Sequence, residues 1–325
     1  MDKRIPVTII TGFLGAGKTT LLNQLINENK EKKFAIIENE FGEIGIDGGL
    51  ILGQEGNIFE LTNGCICCSL SEGFYKTIQK LLAHPTQFNH LLVETTGIAD
   101  PDSIAKAFLS SESIQSHFRI DGVITLADCS NLQDLLDEQV EIRKQIALGD
   151  VILLNKCDAI QKNYLVELEK LVSQINPMAA IHSTSFANIK EIDLLNLQAF
   201  SKDKIENTTR SFQNIKFAFP HQENKQKHNI TSLSFVVPGS FDCEKFTFWL
   251  QNYLFFNAKK VFRVKGILSF ADFPEKYIVQ AVGDSVHYDS LENWNQETRF
   301  SKLVFIGKDL HADKIEDNLY QLLMP

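Results

Sequence analysis

The sequence predicts an α/β protein: a parallel sheet with helices on both faces, followed by a smaller α+β domain. Three observations carry this. Short apolar runs rich in Val, Ile and Leu alternate with amphipathic stretches through the first part of the chain. The runs are too short for helices. The rhythm then breaks at the polar stretch Ser201–Ser211. A strand–helix alternation of this kind builds one parallel sheet, with ligands held beyond the carboxyl ends of its strands. The expected organisation is a first domain over 1–200, a linker with a first strand and a charged loop over 201–229, and a C-terminal domain over 230–325.

The predicted strands of the first domain are Ile5–Ile10, Phe34–Glu38, Leu91–Glu94, Val123–Ala127, Val151–Asn155 and Ala179–His182. Between the first two, Thr20–Asn29 sets Leu21, Leu22, Leu25 and Ile26 at helical spacing. After the linker, Ile215–Phe219 reads as a strand and His221–Asn229 as a charged loop. Then come a strand (Ser232–Pro238), a helix (Asp242–Asn257), strands at Val261–Phe270, Tyr277–Val282 and Leu303–Ile306, and a last helix over Ala312–Leu323. Trp249, Trp294 and several Phe in this part are expected mostly in the core, with a partner surface as their other use.

Composition narrows the function. With 44% hydrophobic and 22% charged residues, 325 residues fold into a sizeable core rather than a disordered chain. The excess of 41 acids over 32 Lys and Arg has the wrong sign for a nucleic-acid protein. No apolar run reaches the ~20 residues of a membrane span. The start, Met1-Asp2-Lys3-Arg4, runs into the first strand without a secretory apolar segment. A cytoplasmic protein that touches neither membrane nor nucleic acid is expected. Six cysteines are too few for a disulfide framework, so a cluster of them reads as metal-binding or redox-active.

Gly12-Phe13-Leu14-Gly15-Ala16-Gly17-Lys18-Thr19 fits G-x-x-x-x-G-K-[ST] between a predicted strand and a predicted helix. Glycines let backbone amides close around phosphates, and the helix N-terminus adds positive potential. Gly12, Gly15, Ala16, Gly17 and Thr20 are thus nucleotide-binding candidates. Lys18 bridges the β- and γ-phosphates and the Thr19 hydroxyl ligates Mg²⁺, so both are also catalytic candidates. Leu91-Leu92-Val93-Glu94 is an apolar strand ending in a carboxylate, where an acid holds Mg²⁺, so Glu94 is the third catalytic candidate. Gly97 can bring its amide to the γ-phosphate.

Asn155-Lys156-Cys157-Asp158 ends another strand and fits N-K-x-D, the guanine-reading pattern. A carboxylate at Asp158 accepts from guanine N1–H and the 2-amino group. Adenine has neither donor, and a buried acceptor left unpaired is costly, so ATP is rejected. Asn155 is expected to hold the loop and contact the base, and Lys156 to stack its stem along the ring. Ser183, Thr184 and Ser185 are weaker candidates for the rest of the base pocket. The chain is expected to be a P-loop NTPase that hydrolyses GTP to GDP. No water-orienting side chain is evident, so slow intrinsic turnover is expected.

Asn63-Gly64-Cys65-Ile66-Cys67-Cys68 holds half of the cysteines. Thiolates select soft or borderline ions such as Zn²⁺ and Cu⁺. A closed zinc site wants four ligands. Cys65, Cys67 and Cys68 supply at most three, so the site is open or borrows a ligand; buried inert thiols and a redox pair are the competing readings. Acids follow the second strand: Glu38, Glu40, Glu43 and Asp47. They lie where a GTPase carries its switch I segment, which responds to the γ-phosphate.

These elements together resemble the CobW-like P-loop GTPases. The resemblance is carried by Thr11–Thr20, Glu38–Gly42, Asn63–Ser69, Glu94–Pro101 (ETTGIADP), Arg263–Gly266 (RVKG) and Val304–Gly307 (VFIG), with GCICC as its most specific mark. It implies a cytosolic GTPase of the metallochaperone kind that binds Zn²⁺, or Co²⁺ or Fe²⁺ through the same ligands, and serves a client metalloprotein. It also implies that Glu38 and Glu43 join Cys67 in the metal site. In place of a His-rich tract the chain has only His221 and His228 around its charged loop. The expected function is GTP-driven metal delivery. The alternative is a nucleotide-modulated metal buffer or sensor. A homodimer is left open.

Overall fold

The structure is a computed structural model that describes residues 3–38, 58–62, 77–79, 81–83, 88–97, 101–199 and 230–324. The chain divides into two compact units, Met1–Ser173 with Ala179–Ala199, and Gln174–Met178 with Phe200–Pro325. The linker Ser201–Ser211, the strand Ile215–Phe219 and the charged loop with His221 and His228 lie outside the described residues.

The first unit is built on seven parallel strands: β1 (Ile5–Gly12), β2 (Phe34–Glu38), β3 (Ile58–Thr62), β4 (His90–Glu94), β5 (Phe118–Asp128), β6 (Val151–Asn155) and β7 (Ala180–Ser183). Their order across the sheet is β3-β2-β4-β1-β5-β6-β7. Val7, Ile9, Leu91, Leu92, Ile152 and Leu153 are wholly buried. A parallel sheet covered on both faces needs such runs, and they made these strands readable. Helices α1 (Lys18–Glu28), α2 (Pro101–Ser110), α3 (Glu112–Gln115), α4 (Leu132–Glu138), α5 (Val140–Leu148) and α6 (Lys162–Ile175) connect them. α1 packs on β1 and β4, whereas α2 and α5 pack on β1 and β5. The β1–α1–β2 crossover steps toward β3 and the β4–α2–β5 crossover steps toward β7. Right-handed crossovers in opposite directions put their helices on opposite faces. The strand order reverses beside β1, so the binding crevice opens at its carboxyl end.

All six predicted strands are present. β3 was not predicted. Among the described residues it is an edge strand, paired with β2 alone, and Ile58-Phe59-Glu60-Leu61-Thr62 lacks the unbroken apolar run of an interior strand. β5 is longer than predicted because its first residues pair with Ile5–Val7 across a register irregularity. That extension carries the fully buried Asp121. Its carboxylate accepts from the amides of Leu197 (2.9 Å) and Gln198 (3.0 Å), which fastens the last described turn of this unit.

Among the described residues, the second unit is an antiparallel sheet of order β11-β10-β9-β12-β8 with two helices. Its elements are β8 (Ile230–Pro238), α7 (Cys243–Phe256), β9 (Val261–Ser269), β10 (Glu275–Val282), β11 (Ser285–Asn293), β12 (Phe300–Lys308) and α8 (Ala312–Gln321). α7 starts where the Asp242 carboxylate accepts from the Lys245 amide, a side-chain cap on the helix N-terminus. Phe246, Leu250 and Leu254 then face Val264, Leu268, Phe305 and Leu319 in one core. β11 was not predicted either; it too is an edge strand, joined to β10 by a tight turn at Gly283. Trp294 is buried and Trp249 packs partly buried on the core, as expected. Phe248, Phe255 and Phe256 are instead exposed on α7.

Candidate functional site

The phosphate loop spans the end of β1 and the start of α1. Gly12, Gly15 and Gly17 take φ of 141°, 78° and 107°. Gly17 illustrates the demand. Its backbone is left-handed, and a Cβ there would lie 2.6 Å from Asn155 Nδ2. The Ala16 amide donates to the Phe13 carbonyl at 3.1 Å and closes the turn. Lys18 is buried and its Nζ donates to the Phe13 carbonyl at 3.2 Å. Burial pulls its ammonium below the usual lysine range, and the negative charge of Glu94 opposes that shift. A phosphate is a stronger acceptor for this cation than a carbonyl. Thr20, one residue past Thr19 on α1, is exposed.

Glu94 ends β4 beside this loop. Thr19 Oγ1 donates to Glu94 Oε1 at 3.3 Å. A hydroxyl and a carboxylate at this spacing form the oxygen set that suits a hard divalent cation, so Mg²⁺ fits here. Thr95 ties β4 to β1 twice, through its amide to the Ile10 carbonyl (2.9 Å) and its hydroxyl to Thr11 Oγ1 (2.9 Å). Gly97 follows on the phosphate side. A Cβ on it would stand 2.5 Å from the Leu14 amide nitrogen, so only glycine allows this approach. Its carbonyl accepts from Gln145 Nε2 at 3.1 Å.

Asn155, 2% exposed at the end of β6, is the hub of the base site. Its Nδ2 donates to the Ala16 carbonyl at 2.9 Å. Its Oδ1 accepts from Thr184 Oγ1 (3.2 Å) and from the Ala187 amide (2.9 Å). One side chain thereby joins the phosphate loop, the N-K-x-D turn and the turn after β7. Lys156 sits at φ 62°, a left-handed backbone rare for a lysine. Its Nζ pairs with Asp128 Oδ2 at 2.7 Å. Asp128 also accepts from the Ser130 amide (3.0 Å) and hydroxyl (2.6 Å). Burial works to raise the Asp128 carboxyl, but the bonds from Lys156 and Ser130 outweigh it and hold the group below the usual range. Asp158 lies in the short turn Cys157–Ala159 and is exposed. The buried acceptor expected from the sequence is thus an exposed carboxylate here.

Each nucleotide candidate thus lies at the carboxyl edge of the sheet. Thr184 pins Asn155, and Ser183 donates to Glu169 Oε1 at 2.7 Å. Asp128 was missed, although it ends β5 as Glu94 ends β4 and stands in register with Asn155. Gln145 was missed because a lone polar residue on an amphipathic helix carries no signal. Of the metal candidates, Cys65, Cys67, Cys68 and Glu43 lie outside the described residues. Glu38 is the last residue of β2, in register with Glu94 on one side and Thr62 on the other. Among the described residues, no three His, Cys, Asp or Glu side chains are grouped to hold a metal, and no helix is long and apolar enough to cross a membrane.

A seven-stranded P-loop sheet with a Thr–Glu cation corner and an N-K-x-D turn defines a P-loop GTPase. The chain belongs to the CobW/HypB/UreG family: the family's nucleotide-binding domain matches residues 6–183, and the cobalamin synthesis protein cobW C-terminal domain matches residues 230–323. It is 33% identical over 315 residues to the zinc chaperone YjiA of Escherichia coli, covering 96% of each chain. It is 30% identical over 338 residues to the zinc chaperone CobW of a Sinorhizobium species, covering 94% of this chain and 93% of that protein. The crystal structure of Zn(II)-bound YjiA GTPase from E. coli matches over the whole of both chains, with a TM-score of 0.73 at 27% identity.

Proposed function

We propose that this protein is a GTP-hydrolysing zinc chaperone that takes Zn²⁺ at Cys65, Cys67 and Cys68, with Glu38 and Glu43 as further ligands, and passes it to a client metalloprotein. The strand register is the observation that carries this reading. Glu94, Glu38 and Thr62 end three adjacent strands side by side at the carboxyl edge. In the sequence, Glu43 follows Glu38 by five residues and Cys65 follows Thr62 by three. The zinc chaperones among the relatives support Zn²⁺ as the cargo.

In this reading the phosphate-loop amides and Lys18 hold the triphosphate in line and neutralise charge that builds on the leaving phosphates. Thr19 and Glu94 would hold Mg²⁺, which would supply positive charge to offset that of the phosphates. Asn155 keeps the base loop and the phosphate loop at a fixed separation, so guanine recognition sets the position of the γ-phosphate. Gly97, held by Gln145, presents its amide to that phosphate. Loss of the γ-phosphate releases the segments after β2 and β4, the metal loses carboxylate ligands, and the client's site competes for it.

Zinc titration under Mg²⁺ with a non-hydrolysable GTP analogue and with GDP tests the linkage. The analogue form is expected to bind Zn²⁺ about tenfold more tightly, within the usual range of coupling between sites. Equal affinities would remove the delivery cycle. Cys67→Ala is expected to weaken Zn²⁺ binding while leaving GDP affinity unchanged. Transfer of Zn²⁺ to an apo-metalloenzyme that does not depend on GTP would mark a buffer instead.

A further inference from the structure

We propose that Cys129 and Cys157 form a thiol pair which hydrogen peroxide converts to a disulfide, and that this bond weakens guanine-nucleotide binding. The proposal rests on Asn155, Lys156 and Asp158 as the base reader. The two Sγ atoms stand 3.7 Å apart, and both thiols are free. Cys129 follows β5 and Cys157 follows β6, two neighbouring strands, so residues distant in sequence meet at the edge where the base binds. Cys157 is the third residue of the N-K-x-D turn.

Charge decides what this pair can do. A metal held by both sulfurs needs two thiolates. Asp128 is bonded to Lys156 at the same edge, and Asp128 and Glu169 both place negative charge near Cys129. Two further anions there are unfavourable. A disulfide is neutral and adds no buried charge. The two sulfurs also divide the roles. Cys129 is wholly buried, and burial pushes its thiol up. Cys157 is partly exposed and reaches solvent. Its sulfur therefore attacks the peroxide O–O bond, becomes a sulfenic acid, and releases one water. Cys129 then attacks that sulfur, the S–S bond forms, and the hydroxide leaves as a second water with the Cys129 proton. The peroxide takes up the two electrons.

The sulfurs must close from 3.7 Å to about 2.05 Å. Cys129 is anchored, because its amide donates to the Asn155 carbonyl at 3.0 Å and its side chain is buried. The Cys157 amide also donates, to the Thr184 carbonyl at 3.1 Å, but its side chain is only partly buried and is the one that yields. Its thiol gives up the Leu154 carbonyl, 3.0 Å away, and its turn is drawn toward β5. Lys156, already at φ 62°, and Asp158, one residue on, move with it. Both are then off the positions from which they stack on and bond to guanine. Coupling is reciprocal, so bound GDP favours the dithiol by the same factor.

The full-length protein, freed of reductant, is treated with hydrogen peroxide, alkylated and digested with trypsin. Cleavage after Arg119, Arg143, Lys156 and Lys162 puts Cys129 in peptide 120–143 and Cys157 in peptide 157–162. The expected product is that pair joined by a disulfide. Fluorescent GDP is expected to bind the oxidised protein about tenfold more weakly, with recovery in dithiothreitol. Cys129→Ala, or Cys129→Ser should the alanine form not fold, is expected to bind GDP as the reduced parent does and to ignore peroxide. Absence of the linked pair overturns the proposal, as does a linked protein whose affinity stays within about twofold of the reduced one. A peroxide effect that survives in the Cys129 variant assigns it to other thiols and overturns it equally. GDP binding by the reduced protein is measured first, and its absence would overturn the guanine reading rather than the disulfide.

Discussion

A single buried histidine sets a measurable acid limit on this fold. His90 is wholly buried at the start of β4, with Nε2 2.9 Å from Thr8 Oγ1 and its ring edge-on to Phe34. Burial, then the charges of Lys32 and Arg119, push it from 6.5 to about 3. The folded state therefore keeps it neutral while the unfolded chain takes up a proton below 6.5. The stability it supports is full above that value and falls as the pH drops toward about 3. At about pH 5 the loss amounts to roughly 2 kcal/mol. Urea titrations of the parent and His90→Phe should differ by that amount less at pH 5 than at pH 7, the variant lacking the acid-side slope. Asn155 is the second residue with a defined cost. Asn155→Ala removes three hydrogen bonds and should cost about 2–3 kcal/mol; GDP affinity should fall roughly tenfold as the two loops uncouple. A variant that loses stability but binds GDP normally would show that Asn155 serves packing alone. The role of Asn155 was legible because a strand-end N-K-x-D names its own geometry. Asp128 and Gln145 were not, since nothing in a lone Asp or Gln marks the backbone or lysine it will hold.

Strands buried on both faces, such as β1, β4 and β6, wrote themselves into the sequence as apolar runs. β3 and β11 did not: Ile58–Thr62 and Ser285–Asn293 interrupt their apolar residues with polar ones. A place at the sheet edge permits that without requiring it, since the edge strands β7 and β8 were read from the sequence. The three helices read from the sequence, α1, α7 and α8, came within two residues of their observed ends; α2 to α6 were not individually predicted. The close approach of two loops was the hardest feature to foresee. Gly97 looked like an amide donor, yet its tightest constraint is the Leu14 backbone beneath it. Gly97→Ala should therefore displace the phosphate loop itself. GTP and GDP affinities should fall together, by about tenfold or more. A loss confined to GTP would place the effect at the γ-phosphate alone.

At the scale of the whole chain, two cores answer to different tests. Phe246 stacks on Phe241 with centroids 4.8 Å apart and meets Phe270 edge-on at 5.8 Å, deep in the second unit. Phe246→Ala should cost that unit about 3–5 kcal/mol. The nucleotide site is built entirely from the first unit, so GDP should still stabilise it, by about 2.7 kcal/mol at a hundredfold excess over Kd. A two-step melt in which only one step responds to GDP is the expected record, and a variant that no longer binds GDP would contradict it.

The one-sided pairing of β3 has a consequence for how such proteins diversify. Under the function proposed above, exchanging the stretch after Thr62 for one with softer or harder ligands would re-address the carrier to another element without altering the strand ends that carry Glu94 and the phosphate loop. The clock of hydrolysis would keep its pace.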